Sequence, residues 1–296
     1  MNSVIVLTGP TATGKTALSV MLAKEIGGEI VNADAFQVYR GMDVGTAKPS
    51  LEERGGVPHH LIDVADPAES YSVSRYVAEA VPVIDDIFAR GNTPVIVGGT
   101  LLYIDSLLSG RTFADTDPKL RAELYSLPDP YARLQLIDPE SAAKIHPSNK
   151  IRVIRALEIF YLTGKTKSET DRITRDIPPR YPSVKIALNF IDRENLYSRI
   201  DKRVDVMVKC GLIDEVRKIG IPTLAIGYKE ITAALNGEFS ISEAVERIKK
   251  ASRNYAKRQL TWLRSEADLN WIHWENEPDF VRGLREATYF ANKFCK

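Results

Sequence analysis

Cysteine is scarce: Cys210 and Cys295 are the only two among 296 residues. That is too few for a disulfide framework, and neither has the spaced partners of a zinc site. The four histidines, His59, His60, His146 and His273, also lack metal-ligand spacing and are expected to pack and hydrogen-bond. No apolar run approaches the ~18–20 residues of a membrane helix. Met1 to Thr8 leads at once into Gly9 and Pro10, without the basic start, apolar stretch and cleavage site of a leader. These absences argue against secretion and membrane insertion, and a reducing cytoplasm is expected. No internal repeat or low-complexity tract is present either.

What remains is an ordinary globular composition, 44% apolar and 27% charged, in a chain long enough for one large domain or a domain carrying an insertion. The net charge of +1 conceals a polarity along the chain. Residues 1–110 hold 7 basic and 13 acidic side chains, leaving 33 and 26 for the remainder, so −6 is followed by +7. Such asymmetry points the second part toward a polyanion.

Short β-branched runs at Val4–Leu7, Glu29–Val31, His60–Asp63, Pro94–Val97, Val184–Phe190 and Asn270–Trp274 alternate with helical patterns. Near-continuous apolar strands separated by helices imply a parallel sheet covered on both faces. The spacing predicts helices over Gly14–Ile26, over Ser72–Arg90 with a kink or break at Pro82, and from Thr100 to Gly110. From about Asp115 to Pro182 the pattern changes to short helices without a strand, two of them opened by Asp117-Pro118 and Asp138-Pro139 as cap and first helical residue. A clearer helix spans Ile151–Leu162, and long helices start at Asn195 and Ser240. The expected architecture is α/β, a P-loop doubly wound parallel sheet with an all-helical insertion. Residues 1–120 form the first part of the core, 121–182 the insertion, and 183–296 the second part with a basic C-terminal helix.

The strongest chemical signal is Gly9-Pro10-Thr11-Ala12-Thr13-Gly14-Lys15-Thr16, directly after an apolar strand and opening a helix. Glycines permit the turn, backbone N–H groups and the helix N-terminus cradle phosphate oxygens, Lys15 adds a cation, and the Thr16 hydroxyl can ligate Mg²⁺. The loop alone leaves open whether the phosphate belongs to a nucleotide. A kinase or NTPase normally keeps a metal-binding acid at the end of a second core strand. Here Pro94–Val97 ends in Gly98-Gly99-Thr100, and Asp63 is an ambiguous substitute. Strand Glu29–Val31 delivers Asp34 at its carboxyl end, where it should open onto the same crevice as Lys15. Its carboxylate could bind metal, take a proton from a nucleophile, or cap the following turn.

The segment Asp34-Ala35-Phe36-Gln37-Val38-Tyr39-Arg40-Gly41-Met42-Asp43-Val44-Gly45-Thr46-Ala47-Lys48-Pro49, after that loop, closely resembles the tRNA dimethylallyltransferases, also called tRNA isopentenyltransferases. Further matches include Pro58 to Asp63, Val97 to Thr100 with Tyr103, Arg155 to Glu158, Gly227 to Glu230, and Ala256 to Gln259 with Thr261, Trp262 and Arg264. The resemblance implies transfer of a dimethylallyl group from dimethylallyl diphosphate, with Mg²⁺, to the exocyclic N6 of the adenosine on the 3′ side of a tRNA anticodon. Gly9 to Thr16 and Arg203 would hold the diphosphate, with Arg199 an alternative to Arg203. Asp34 would accept the amine proton, aided by Lys15 and Thr100. No hydrolysis is required, which accounts for the missing strand-end acid.

The same resemblance assigns tRNA contact to Asp34, Ala35, Phe36 and Gln37, the last reading the base edge, to Thr100 and Arg121, and to Ile151, Arg152 and Arg155. Ala35 stands where the family usually has serine, and Ile151 where it has glutamine. Arg152 and Arg155 share a helix face opposite Ile151, Ile154, Leu157 and Tyr161. Between Arg247 and Arg264 lie seven basic residues and no acid. On a helical wheel Lys249, Lys250, Arg253, Lys257 and Arg264 oppose an apolar stripe that includes Ile248, Tyr255 and Trp262. Phosphate contact by this helix, with Lys257, Arg258 and Gln259 in the family's tRNA-binding motif, is expected. Gln259 lies on the apolar side, so its amide should bond to something specific. The expected partners are the anticodon stem-loop of tRNA and dimethylallyl diphosphate, with no membrane, and the chain is expected to act as a monomer. The rivals are a prenyltransferase for free adenine nucleotides, a P-loop metabolite kinase, and a non-catalytic RNA-binding module.

Overall fold

The computed structural model describes residues 3–110 and 116–295, apart from the side chains of residues 175, 294 and 295. Asp115, where the change of pattern is expected, lies outside the described residues, as does the Cys295 side chain; the Cys210 thiol is free and exposed. The chain divides into two compact units, residues 1–108 with 181–296, and residues 109–180. The second unit thus starts near Ser109 rather than at residue 121, because the helix Pro118–Tyr125 contributes Leu120 and Leu124 to its core.

The first unit is built on six parallel strands: β1 (Val4–Thr8), β2 (Gly28–Asn32), β3 (His59–His60), β4 (Thr93–Val97), β5 (Ser183–Phe190) and β6 (Leu269–Trp274), in the order β3-β2-β4-β1-β5-β6. Every residue of β1 is buried, as its unbroken apolar run requires between two helical layers. The order reverses at β1, which lies between β4 and β5. Val97 of β4 pairs with both Leu7 of β1 and Asn32 of β2, so the three strands end in one row. The turns that follow, Gly9 to Thr16, Ala33 to Gln37 and Gly98 to Thr100, emerge side by side at the topological switch point.

Two sequence expectations change. The strand expected over His60–Asp63 is only His59–His60, because Leu61 and Asp63 both have φ of +59°, which ends an extended chain. The helix Val73–Ala89 runs unbroken through Pro82. Its face of Tyr76, Val77, Ala80, Ile84 and Ile87 is buried, and that packing outweighs the hydrogen bond proline removes. No described helix is long and apolar enough to cross a membrane.

The second unit contains five helices, Pro118–Tyr125, Pro130–Ile137, Pro139–Lys144, Lys150–Thr163 and Lys167–Arg175, and no strand among its described residues. Three of them start with proline behind an aspartate, Asp117, Asp129 or Asp138, whose carboxylate accepts backbone N–H bonds of the first turn. Leu124, Leu134, Val153 and Leu157 form the centre of its core.

A buried carboxylate secures the edge of the sheet. Glu29, 4% exposed, pairs with Arg90 and lies 2.7 Å from both the Asn92 amide and His60 Nε2. Burial alone would raise its pKa, but the bonds from Arg90, Asn92 and His60 prevail and hold it down at about 2. A depressed carboxylate stabilises the fold above its unfolded pKa and loses that contribution as pH falls through the folded value. The charge should therefore contribute on the order of 3 kcal/mol near neutrality. Glu29→Gln should lower the denaturation midpoint at pH 7, and its deficit relative to the native chain should shrink progressively below about pH 4.5. A deficit that stays constant down to pH 3 would assign the stabilisation to shape, not charge.

Candidate active site

The loop after β1 is held in place by bonds from distant parts of the first unit. Gly9 has φ of +141°, and a Cβ there would come within 2.5 Å of Leu188 O, so only glycine fits. The Trp274 indole donates to Thr13 O at 2.9 Å, and Arg199 Nε donates to Ala12 O at 3.2 Å. Gln259, from the helix Ile241–Leu263, crosses from one turn to another: its Oε1 accepts from Thr11 N at 3.1 Å and its Nε2 donates to Gly99 O at 2.8 Å. The specific partners expected for this amide are therefore protein groups. At 4% exposure Gln259 braces the phosphate loop instead of offering its side chain to RNA.

Lys15 Nζ donates to Gly9 O at 2.9 Å and Pro10 O at 2.7 Å. Burial, with help from the neighbouring Arg203 charge, pushes this ammonium down to about 7, while the Asp34 carboxylate pulls the other way. Arg203, on the helix Arg193–Lys209, is half-buried, desolvation lowers its pKa, and its guanidinium donates to Thr46 O at 3.3 Å. Around the larger cavity of the site the cations Lys15, Arg199 and Arg203 outnumber the carboxylates Asp34 and Glu53, a balance that favours binding an anion.

Asp34 follows β2. Its Oδ1 accepts from Phe36 N at 2.9 Å and Gln37 N at 3.3 Å, so the carboxylate does cap its turn, but with one oxygen only. Among the described residues Oδ2 has no partner. Thr100 does not touch this carboxylate; its hydroxyl accepts from Ala35 N at 3.0 Å and pins the segment. The Gln37 amide donates to Thr46 O at 3.2 Å and Ala47 O at 3.3 Å, which leaves its oxygen as the group able to meet a base edge. Asp63 does not serve as a strand-end acid, being tied to Lys48 Nζ at 2.5 Å.

Two cavities meet at this carboxylate. One, of about 550 Å³, is lined by Thr11 to Ala17, Arg199, Arg203 and Gln259. The other, of about 300 Å³, is lined chiefly by apolar side chains, including Phe36, Val204, Met207 and Ile226, with Lys229 and Arg258 also present. Thr11, Asp34, Arg203 and Tyr255 line both. Tyr255, which sequence reading placed only in an apolar stripe, donates to Gly99 O at 3.3 Å. Thr16 lines the larger cavity and a smaller one shared with Asn32 and Asp34. The described residues include no cluster of three or more His, Cys, Asp or Glu able to hold a metal. The donor set of one hydroxyl and a nearby carboxylate fits an ion that relies on water and substrate phosphate, the habit of Mg²⁺.

The basic side chains divide in a way the sequence conceals. Lys249 and Arg253 face the helix Arg193–Lys209 and pair with Asp205 at 2.8 Å and Asp201 at 2.5 Å, correcting their placement on a phosphate-facing surface. Lys257 and Arg258 are exposed, beside the rings of Tyr197 and Tyr255. In the second unit Arg121 and Arg155 share the fully buried Glu158, at 2.8 and 2.6 Å, whereas Arg152 and Ile151 are exposed. Trp262 is 39% exposed, at the margin of its expected stripe. Arg199 belongs to the site as well as Arg203, through its bond to the phosphate loop.

A family model described as IPP transferase matches residues 37–266, and one described as isopentenyl transferase matches residues 2–63. The tRNA dimethylallyltransferase of Halalkalibacterium halodurans is 46% identical, covering 97% of this chain and 95% of its own. That of Pelotomaculum thermopropionicum is 45% identical, covering 93% and 92%. The crystal structure of a full-length tRNA isopentenylpyrophosphate transferase from Bacillus halodurans aligns over 99% of this chain and 97% of its own, with a TM-score of 0.75 and 42% identity. A eukaryotic dimethylallyltransferase, captured in crystallographic snapshots acting on tRNA, aligns over 98% of this chain and 78% of its own, with a TM-score of 0.84 and 32% identity. Kinship at this level spans both parts of the sheet and the helices between them, and the chain belongs to the tRNA dimethylallyltransferase family of prenyl-transferring enzymes.

Proposed function

We propose that this protein transfers the dimethylallyl group of dimethylallyl diphosphate to N6 of the adenosine 3′-adjacent to a tRNA anticodon, releasing diphosphate. The observation that carries the reading is Asp34 at the junction of a cation-lined cavity and an apolar one. The diphosphate lies in the first, against Lys15, Arg203 and the N–H groups of Gly9 to Thr16. The adenine lies in the second, flipped from its stack, with Gln37 meeting its edge.

The allylic carbon–oxygen bond breaks, and its electron pair leaves on diphosphate. The N6 lone pair forms the new carbon–nitrogen bond. As it does so the amine becomes acidic, and its proton passes to the open oxygen of Asp34. Lys15, Arg203 and the loop N–H groups stabilise the charge gathering on the leaving group. Mg²⁺, held by Thr16 and substrate oxygens, would add Lewis-acid stabilisation of the same charge. Thr100 and Gln259 keep the three turns in register.

Labelled dimethylallyl diphosphate with Mg²⁺ and either tRNA or AMP tests the reading. Label is expected in tRNA and not in AMP. Label in AMP would favour the free-nucleotide rival, phosphoryl transfer from ATP the kinase, and tRNA binding without incorporation the binding module. The exposed Arg152, Lys257 and Arg258 are the proposed phosphate contacts. Alanine at each should reduce the slope of log affinity for tRNA against log salt by about one. An unchanged slope would return that residue to an ordinary solvated surface. We also propose that the enzyme acts in the cytoplasm as a monomer.

A further inference from the structure

Glu215, on the helix Leu212–Ile219, lines neither of the two principal cavities, yet its carboxylate is fully engaged. Its Oε2 accepts from Asp43 N at 2.9 Å and Val44 N at 2.7 Å, and its Oε1 accepts from Gly45 N at 2.9 Å and from the Tyr228 hydroxyl at 2.6 Å. Three successive backbone N–H groups converging on one carboxylate form an anion nest whose anion is supplied by the protein. Gly45 lacks a side chain for a local reason, since a Cβ there would lie 2.5 Å from the Tyr228 ring. Lys48, 4% exposed, ties the far side of the loop to Tyr39 O at 2.7 Å and to Asp43 and Asp63 at 2.5 Å.

This loop reaches the site through its carbonyls. Thr46 O accepts from Arg203 at 3.3 Å and from the Gln37 amide at 3.2 Å, and Ala47 O accepts from the same amide at 3.3 Å. We infer that Glu215 is a positioning residue for prenyl transfer: by fixing the loop Asp43 to Ala47 it sets Arg203 against the diphosphate and Gln37 against the base. A glutamate present for stability alone would have no bearing on how Arg203 is oriented. This inference rests on the reading that Arg203 meets the diphosphate.

In Glu215→Gln one oxygen becomes an NH₂ group facing N–H donors, so the nest loses half its acceptors while the side chain keeps its size. In the full-length protein the variant should bind inorganic diphosphate with Mg²⁺ roughly tenfold more weakly by calorimetry. Its kcat/KM should fall roughly tenfold to hundredfold, mostly through the KM for the donor, as expected when a substrate-positioning group shifts by a fraction of an ångström. Combined with Arg203→Ala, it should weaken diphosphate binding no further than Arg203→Ala alone, because both act through one guanidinium. A lowered melting temperature with unchanged diphosphate affinity and KM, or additive losses in the double variant, would overturn the inference. Should Glu215→Gln fail to fold, Tyr228→Phe keeps the ring and removes one bond; a KM rise of about threefold is expected, and a native KM would overturn the inference. If the native enzyme transfers no prenyl group to tRNA, the functional reading fails, while the ratio of diphosphate affinities still tests Glu215.

Discussion

Asp34→Ala should abolish prenyl transfer while leaving the affinity for tRNA nearly intact. The expected fall in kcat is about 10²- to 10⁴-fold, the usual contribution of a positioned base. The amine is a poor nucleophile because its lone pair is delocalised into the ring. On the proposed mechanism Asp34 both orients it and removes its proton; among the described residues Asp34 is the only carboxylate lining both principal cavities, with one oxygen left open beside the bonds from Phe36 N and Gln37 N. Asp34→Asn separates them, since it retains the cap to the turn and the shape of the side chain but cannot take a proton. It should be as inactive as alanine in single-turnover kinetics. An asparagine enzyme with most of the native rate would remove the general base from the mechanism, and equally weakened tRNA binding would make Asp34 a structural residue.

Lys15→Met should lower kcat/KM roughly a thousandfold, in line with loss of one preorganised donor to a developing anion. Because the free ammonium titrates at about 7, the pH dependence adds a sharper test. Below that value Lys15 is charged and ready for diphosphate; above it, donor binding must first recover a proton. The dissociation constant for inorganic diphosphate should therefore climb toward tenfold per pH unit above about 7, until a second group intervenes. In Lys15→Met this climb should vanish. A native enzyme whose diphosphate affinity is flat from pH 7 to 9 would show that the Lys15 ammonium is not held near 7 in the free site, and the Lys15→Met loss would then decide alone whether it contacts the leaving group. On the proposed reading, Lys15 would exchange its bonds to Gly9 O and Pro10 O for phosphate oxygens.

The local signals in the sequence held where one segment supplies all that is needed. The glycine-lysine loop requires only a strand before it and a helix after it, and Asp117 and Asp138 cap their helices within three residues. Some expectations that depended on what lies opposite failed. The helix Ile241–Leu263 carries seven basic residues between Arg247 and Arg264, yet Lys249 and Arg253 are neutralised by Asp205 and Asp201. A helical wheel records which side chains share a face and is silent about the helix that covers it. Gln259 was legible as an amide in need of partners, but Thr11 and Gly99 are 248 and 160 positions away. Of the kink or break expected at Pro82, the break is absent because the helix continues on packing, to which a propensity rule is blind.

The sequence by itself determined the chemistry on offer: a phosphate cradle, an acid one strand away, and a P-loop sheet in which both turns face the same crevice. These follow from short-range rules, strand and turn spacing and the charge of single side chains. Only the tertiary structure decided which groups are free to act. It spent Gln259, Lys249, Arg253 and Asp63 on internal partners, left one oxygen of Asp34 open between two cavities, and drew Glu215 into a loop 170 residues distant. Partnership across such separations is fixed by the packing of whole elements, and no local pattern encodes it.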